Sequence, residues 1–230
     1  MSDVEKISEN FPNKVEKISS DIIHLGKFDV VINSGNPDKT MVADFRDVIA
    51  DRNHLSIIIE GMGWGDERFK SFGGYFIKKR HSASYEDAKE AQTPKPTFGS
   101  KKTQLAFNSL LNEINLSSDV DRIIQSDEVQ ELARKIRYKG IRFIKPIAGI
   151  IEKVSGDKYM VYPHIDEVRF PSYDTQGDAL GSIVPELEEI FTKNLIDPYD
   201  LEEKQILITK EDGGYILNLI DIEGYTRIEE

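Results

Sequence analysis

The sequence predicts an α+β fold, and three observations carry that prediction. Short apolar runs closed by glycine-containing turns dominate residues 28–80, and they recur near 141–165 and 206–220. Two helical patterns, 103–114 and 126–140, follow each other directly. Strands and helices therefore come in blocks, whereas a parallel α/β sheet would need alternating βα units.

The elements follow in chain order. Val4, Ile7, Val15, Ile18, Ile22 and Ile23 recur at helical steps, and Pro12 divides them into two short helices. "FDVVINSG" (28–35) reads as a strand ending in a turn. "TMVADFRDVI" (40–49) fits a strand or a short helix. "LSIIIEGMGWG" (55–65) reads as a buried strand entering a glycine-rich turn. "ERFKSF" and "YFIKKR" around Gly73-Gly74 read as a hairpin. Residues 82–102 are polar, with Pro94 and Pro96, and predict a short polar helix and a mobile loop.

Leu105, Leu110, Leu111 and Ile114 share one side of the next helix. The following helix opens on a capping signature, Ser126 or Asp127 ahead of Glu128 to Glu131, and closes at Gly140. Two strands then flank Ser155-Gly156-Asp157. Residues 180–195 form a helix with Pro185 near its first turn. An acidic stretch, "DPYDLEEKQILITKEDGGYILNLIDIEGY" (197–225), supplies the last hairpin.

Bulk properties narrow the function classes. A net charge of −11 disfavours a protein built to grip nucleic acid or an anionic membrane, although "IKKRH" at 77–81 is a local basic patch. The 230 residues contain no cysteine, which excludes disulfides, thiolate chemistry and cysteine zinc sites. The four histidines show no pair at metal-ligand spacing. No apolar run is long enough to span a bilayer and no leader pattern opens the chain, so a cytoplasmic location is the expectation.

Three constellations could carry chemistry. Gly61, Gly63 and Gly65 in "GMGWG" could let backbone N–H groups approach phosphate oxygens, or could form a tight turn between strands. Lys78 and Lys79 lie on opposite faces of "YFIKKR", so one of them faces the more buried side, where an ammonium can meet a phosphate. The same lysines also suit a basic edge strand. Asp200, Gln205, Asp221 and Glu223 are brought close by the last hairpin, as a solvated acidic cluster or as hard oxygen ligands for Mg²⁺.

In this order the motifs resemble a protein-kinase-like fold from about Leu55 to Gly224: strand-rich N-lobe with a helix, and a minimal, truncated C-lobe. "YFIK" is similar to the third-strand Val-Ala-Ile-Lys motif, "YDLEEKQILI" to His-Arg-Asp-Leu-x-x-x-Asn, and "LIDIEG" to the strand ending in Asp-Phe-Gly. The resemblance implies residues 1–50 as an N-terminal extension, 51–163 as N-lobe and 164–230 as C-lobe.

It also implies ATP and Mg²⁺ as cofactors, with Lys78 on the phosphates and Glu131 (or Glu128) as its ion-pair partner. Tyr162 would lie near the adenine, Asp200 would be the catalytic base, and Gln205 and Asp221 would be metal ligands, joined by Glu223. The sequence departs from the family at Pro198-Tyr199 in place of His-Arg, at Gln205 in place of Asn, and in the extra residue of "DIEG". No Ala-Pro-Glu segment follows Gly224. The functional expectation is therefore a phosphotransferase-like nucleotide site with an unknown acceptor. The alternative is a non-catalytic interaction module whose acidic face binds a basic protein partner.

Overall fold

A computed structural model describes residues 21–36, 38–50, 52–60, 62, 69–80, 101–165, 173–199 and 201–228. Residues 1–20, Gly61, Gly63, Gly65, the 82–100 stretch and Asp200 lie outside these, so the expectations placed on them do too. The architecture is α+β. Among the described residues, no helix is long and apolar enough to cross a membrane.

The main sheet is antiparallel and six-stranded. Its members are β1 (Asp21–Leu25), β2 (Phe28–Ile32), β3 (Phe69–Phe72), β4 (Tyr75–Arg80), β6 (Ala148–Glu152) and β7 (Lys158–Pro163), ordered β1-β2-β6-β7-β4-β3. Phe28–Ile32, which from sequence could either extend the main sheet or form a separate cap, is hydrogen-bonded to β6 inside this sheet. The β3–β4 turn forms as expected. Gly73 and Gly74 both take positive φ (53° and 84°), which suits a two-residue hairpin loop and strains any other residue.

Two helices cover one face of this sheet, α1 (Lys39–Ala50) and α2 (Arg52–Ile59). The second corrects the strand expected at 55–59. Leu55, Ile58, Ile59 and Met62 are buried while Ile57 is 60% exposed, a three- and four-residue spacing that only a helix gives. The β-branched run favours a strand locally, and packing against the sheet overrides it.

α3 (Lys101–Ile124) covers the other face and is twice the length expected from 103–114. Its first half packs on the main sheet through Ala106, Phe107, Leu110, Leu111 and Ile114. Its second half, Leu116 to Ile124, enters a separate core with α4 (Asp127–Lys135), α5 (Tyr173–Lys193) and a three-stranded sheet. That sheet is ordered β5-β10-β9, from β5 (Gly140–Phe143), β9 (Ile206–Glu211) and β10 (Gly214–Leu219). β5 was expected within the N-lobe, yet it pairs in parallel with β10. A short pair, β8 (Ile196–Asp197) with β11 (Thr226–Arg227), completes the fold.

Local signals set several ends. The Ser126 hydroxyl accepts the Val129 N–H, while Asp127 and Glu128 in the first turn and Arg134 and Lys135 in the last complement the α4 dipole. α4 stops before Gly140, and Arg137 takes the left-handed conformation instead (φ 67°). Because α5 begins at Tyr173, Pro185 sits inside it and not in its first turn.

Candidate functional site

Strand alternation puts Tyr75, Ile77 and Lys79 toward the α1–α2 side, and Phe76, Lys78 and Arg80 toward α3. Register on β7 sets Phe76 opposite Tyr162 and Lys78 opposite Met160, both on the α3 side. Of the two adjacent lysines, Lys78 is the one carried to the α3 side.

The other half of the site arrives from the last hairpin. β10 ends at Leu219, and the Ile220 N–H is held by the Gln205 carbonyl at 2.8 Å. Asp221 then turns out of the sheet with a left-handed backbone (φ 63°), a conformation that aspartate tolerates better than most residues. The Glu223 N–H donates to Asp221 Oδ1 at 3.1 Å, closing a side-chain-to-backbone turn that fixes the carboxylate.

These two arms meet. Lys78 Nζ donates to Asp221 Oδ2 and lies 3.0 Å from Glu223 Oε2. Arg80 Nη1 reaches Asp221 Oδ1 at 2.5 Å and Glu223 Oε2 at 3.2 Å. The opposite side of the guanidinium binds Glu113 on α3, with Nε 3.3 Å from Oε2 and Nη2 paired with Oε1. Arg80 is thus buried and shared among three carboxylates from two different segments. Two cations against three carboxylates leave the cluster one negative charge.

Electrostatics follow from this packing. Burial would push the Asp221 carboxyl upward, but Arg80 and then Lys78 outweigh it and hold the group well below the usual carboxylate range. Burial works against the Arg80 charge as well, and Asp221 with Glu223 overcomes it, raising its pKa further. Asp221 therefore contributes stability that is complete above its unfolded pKa of about 4 and is lost as pH falls toward its depressed folded value. The stability difference between the wild type and Asp221→Asn is expected to be flat from pH 7 to about 5 and to shrink below about 4. Urea unfolding at stepped pH measures it. A difference unchanged down to pH 2.5 would mean that the carboxylate is not held in this way.

Other expected residues are placed differently. Glu131 does not meet Lys78; it stands on an exposed face of α4 and pairs with Arg134 at 3.2 Å. The helix glutamate facing β4 is Glu113, and its partner includes Arg80. Gln205 is buried, and its amide oxygen accepts the Glu202 N–H at 3.0 Å in a capping box around a 3₁₀ turn. That oxygen is the atom a metal would need, so Gln205 positions the backbone beneath Asp221.

Tyr162 lies under α3 in the core and not at an open rim where a base could stack. Its hydroxyl, beside Arg80, Asp221 and Glu223, has no hydrogen-bond partner among the described residues, and burial leads the effects that push its pKa up. The segment holding Gly61, Gly63 and Gly65 follows helix α2, not a strand. The glycines themselves lie outside the described residues.

Sequence reasoning missed Arg80 and Glu113. Signals for both were present: Arg80 is two residues from Lys78 on one strand, and Glu113 is three from Leu110 and seven from Ala106 on one helix. Among the described residues, no group of three or more His, Asp or Glu side chains could hold a metal ion. Asp221 and Glu223 are two carboxylates, a number that suits Mg²⁺ completed by phosphate oxygens and water.

No protein-family model matches the chain, and no curated protein matches it either.

Proposed function

We propose that the chain is a protein-kinase-like, nucleotide-binding protein whose Mg-ATP site is built on Lys78 and Asp221. One observation carries this reading: Lys78 on a sheet strand and Asp221 after a hairpin strand, 143 residues apart, meet as a partly buried ion pair. Their meeting agrees with the motif order, and structural surface charges at such separation have no need of one another. A long helix offering a glutamate to the same strand adds support.

In this reading Lys78 contacts the phosphates, while Asp221 and Glu223 hold the cation. Bound Mg²⁺ would neutralise phosphate charge, and transfer would then depend mostly on positioning. Asp200 is the base by resemblance alone. Thermal shift tests the proposal: millimolar Mg-ATP is expected to raise the melting temperature of the wild type, since a ligand that binds only the folded state stabilises it. Asp221→Asn is expected to lose that shift. A wild type indifferent to Mg-ATP sinks the reading.

A second reading has its own observation. Glu128, Glu131, Glu186 and Glu189 outnumber Lys135 and Lys193 around a groove of about 290 Å³ between α4 and α5, also lined by Leu132 and Ile190. This net acidic strip favours an interaction module for a basic segment. Salt-sensitive binding of a Lys/Arg-rich peptide, weakened by Glu186→Lys, supports it; binding insensitive to salt counts against it.

A further inference from the structure

The two cations of the cluster are held in different ways. Arg80 is wedged between α3 and the last hairpin, bonded to Glu113 on one side and to Asp221 and Glu223 on the other. Its planar fork is always charged and cannot leave without freeing three partly buried carboxylates. Lys78 is a point charge on a flexible four-carbon stem, and it sits against the same two carboxylates that a cation would need. The ammonium therefore stands where a metal would stand. A second observation marks the spot: the buried Tyr162 hydroxyl beside Arg80, Asp221 and Glu223 has no hydrogen-bond partner among the described residues, and a cation's bound water would satisfy it.

We propose that Lys78 is the exchangeable counter-ion of the Asp221–Glu223 pair. The site then admits a divalent cation only together with an anionic group that draws the ammonium away, while Arg80 stays and fixes the carboxylates. Bare cation is excluded by like charge. Bare nucleotide gains the lysine but leaves Asp221 and Glu223 facing its phosphates. A cation–phosphate complex exchanges both ions at once and keeps every charge paired. The identity of the anionic group as a nucleotide rests on the Mg-ATP reading; the exchange itself does not.

Mn²⁺ titrated into the nucleotide-free full chain tests this, with free Mn²⁺ read by EPR and the fold checked by circular dichroism. Lys78→Met is expected to bind one Mn²⁺ at least about tenfold more tightly than the wild type, because a like charge within a few ångströms has been removed. Lys78→Met/Asp221→Asn is expected to return to the wild-type affinity. Lys78→Gln keeps a hydrogen-bonding head without charge; it is expected to match Lys78→Met, and it replaces that variant if an apolar side chain prevents folding. Equal Mn²⁺ affinity in the wild type and in folded Lys78→Gln overturns the proposal. A gain in the variants beside a wild type indifferent to Mg-ATP upholds the exchangeable counter-ion and removes the nucleotide reading alone.

Discussion

Arg80→Met is expected to destabilise the fold by about 3–5 kcal/mol, the range for breaking a buried ion cluster from one side. The guanidinium is buried, so nothing from solvent replaces it. Its loss leaves Glu113, Asp221 and Glu223 with Lys78 as the cation the cluster still contains, and the carboxylates then repel one another. Arg80→Lys is expected to recover only part of the loss. A single ammonium cannot bond Glu113 on one side and the last hairpin on the other, as the fork does. Adding Glu113→Leu to Arg80→Met removes one orphaned charge and is expected to restore about 1–3 kcal/mol. Urea unfolding of the four proteins measures this. A loss below about 1 kcal/mol for Arg80→Met would show a hydrated, surface-like cluster.

The second large effect lies where α3 rests on the sheet. Leu110 is fully buried, and a Cβ placed on Gly149 of β6 would come within 2.3 Å of its Cδ2. Glycine here makes room for the helix, and turn geometry is not involved. Leu110→Ala is expected to cost about 2–5 kcal/mol by leaving a cavity between helix and sheet. Gly149→Ala alone is expected to cost about 1–3 kcal/mol by overpacking. The double variant is expected to lose less than the sum, because the new methyl enters the vacated volume. Costs that add within about 0.5 kcal/mol would show that the two positions do not share a contact. Glu113 is three residues from Leu110, so lifting α3 from Gly149 also moves the carboxylate that anchors Arg80.

Much of the strand framework was readable from turns and apolar runs. Gly73-Gly74 and Ser155-Gly156-Asp157 mark hairpins through local backbone chemistry, and the α4 cap is written into Ser126 to Glu131. Residues 55–59 misled because three consecutive isoleucines carry a strand preference, and only Met62 beyond them completes the helical spacing. The placement of β5 was invisible, and that of β2 was left open between the main sheet and a separate cap. Which strand pairs with which depends on contacts distant in sequence, and β5 reaches β10 across more than 70 positions. At the site, Lys78 and Asp221 could be named from motif order. Arg80 and Glu113 could be placed on the right faces by strand and helix spacing, but their pairing could not be read, since each looks like an ordinary solvated charge until its partner is known. Gln205 was read as a ligand from its place beside the last hairpin and from the resemblance, whereas its local role in capping Glu202 is what the fold uses.

α3 belongs to two cores at once, with Ala106 to Ile114 in one and Leu116 to Ile124 in the other. Neither core can melt while keeping its own wall, so loosening either one strips apolar cover from the other. The two sheets are thereby joined into a single cooperative unit. The slowest amide hydrogens should accordingly lie along α3, exchanging only when the whole molecule opens.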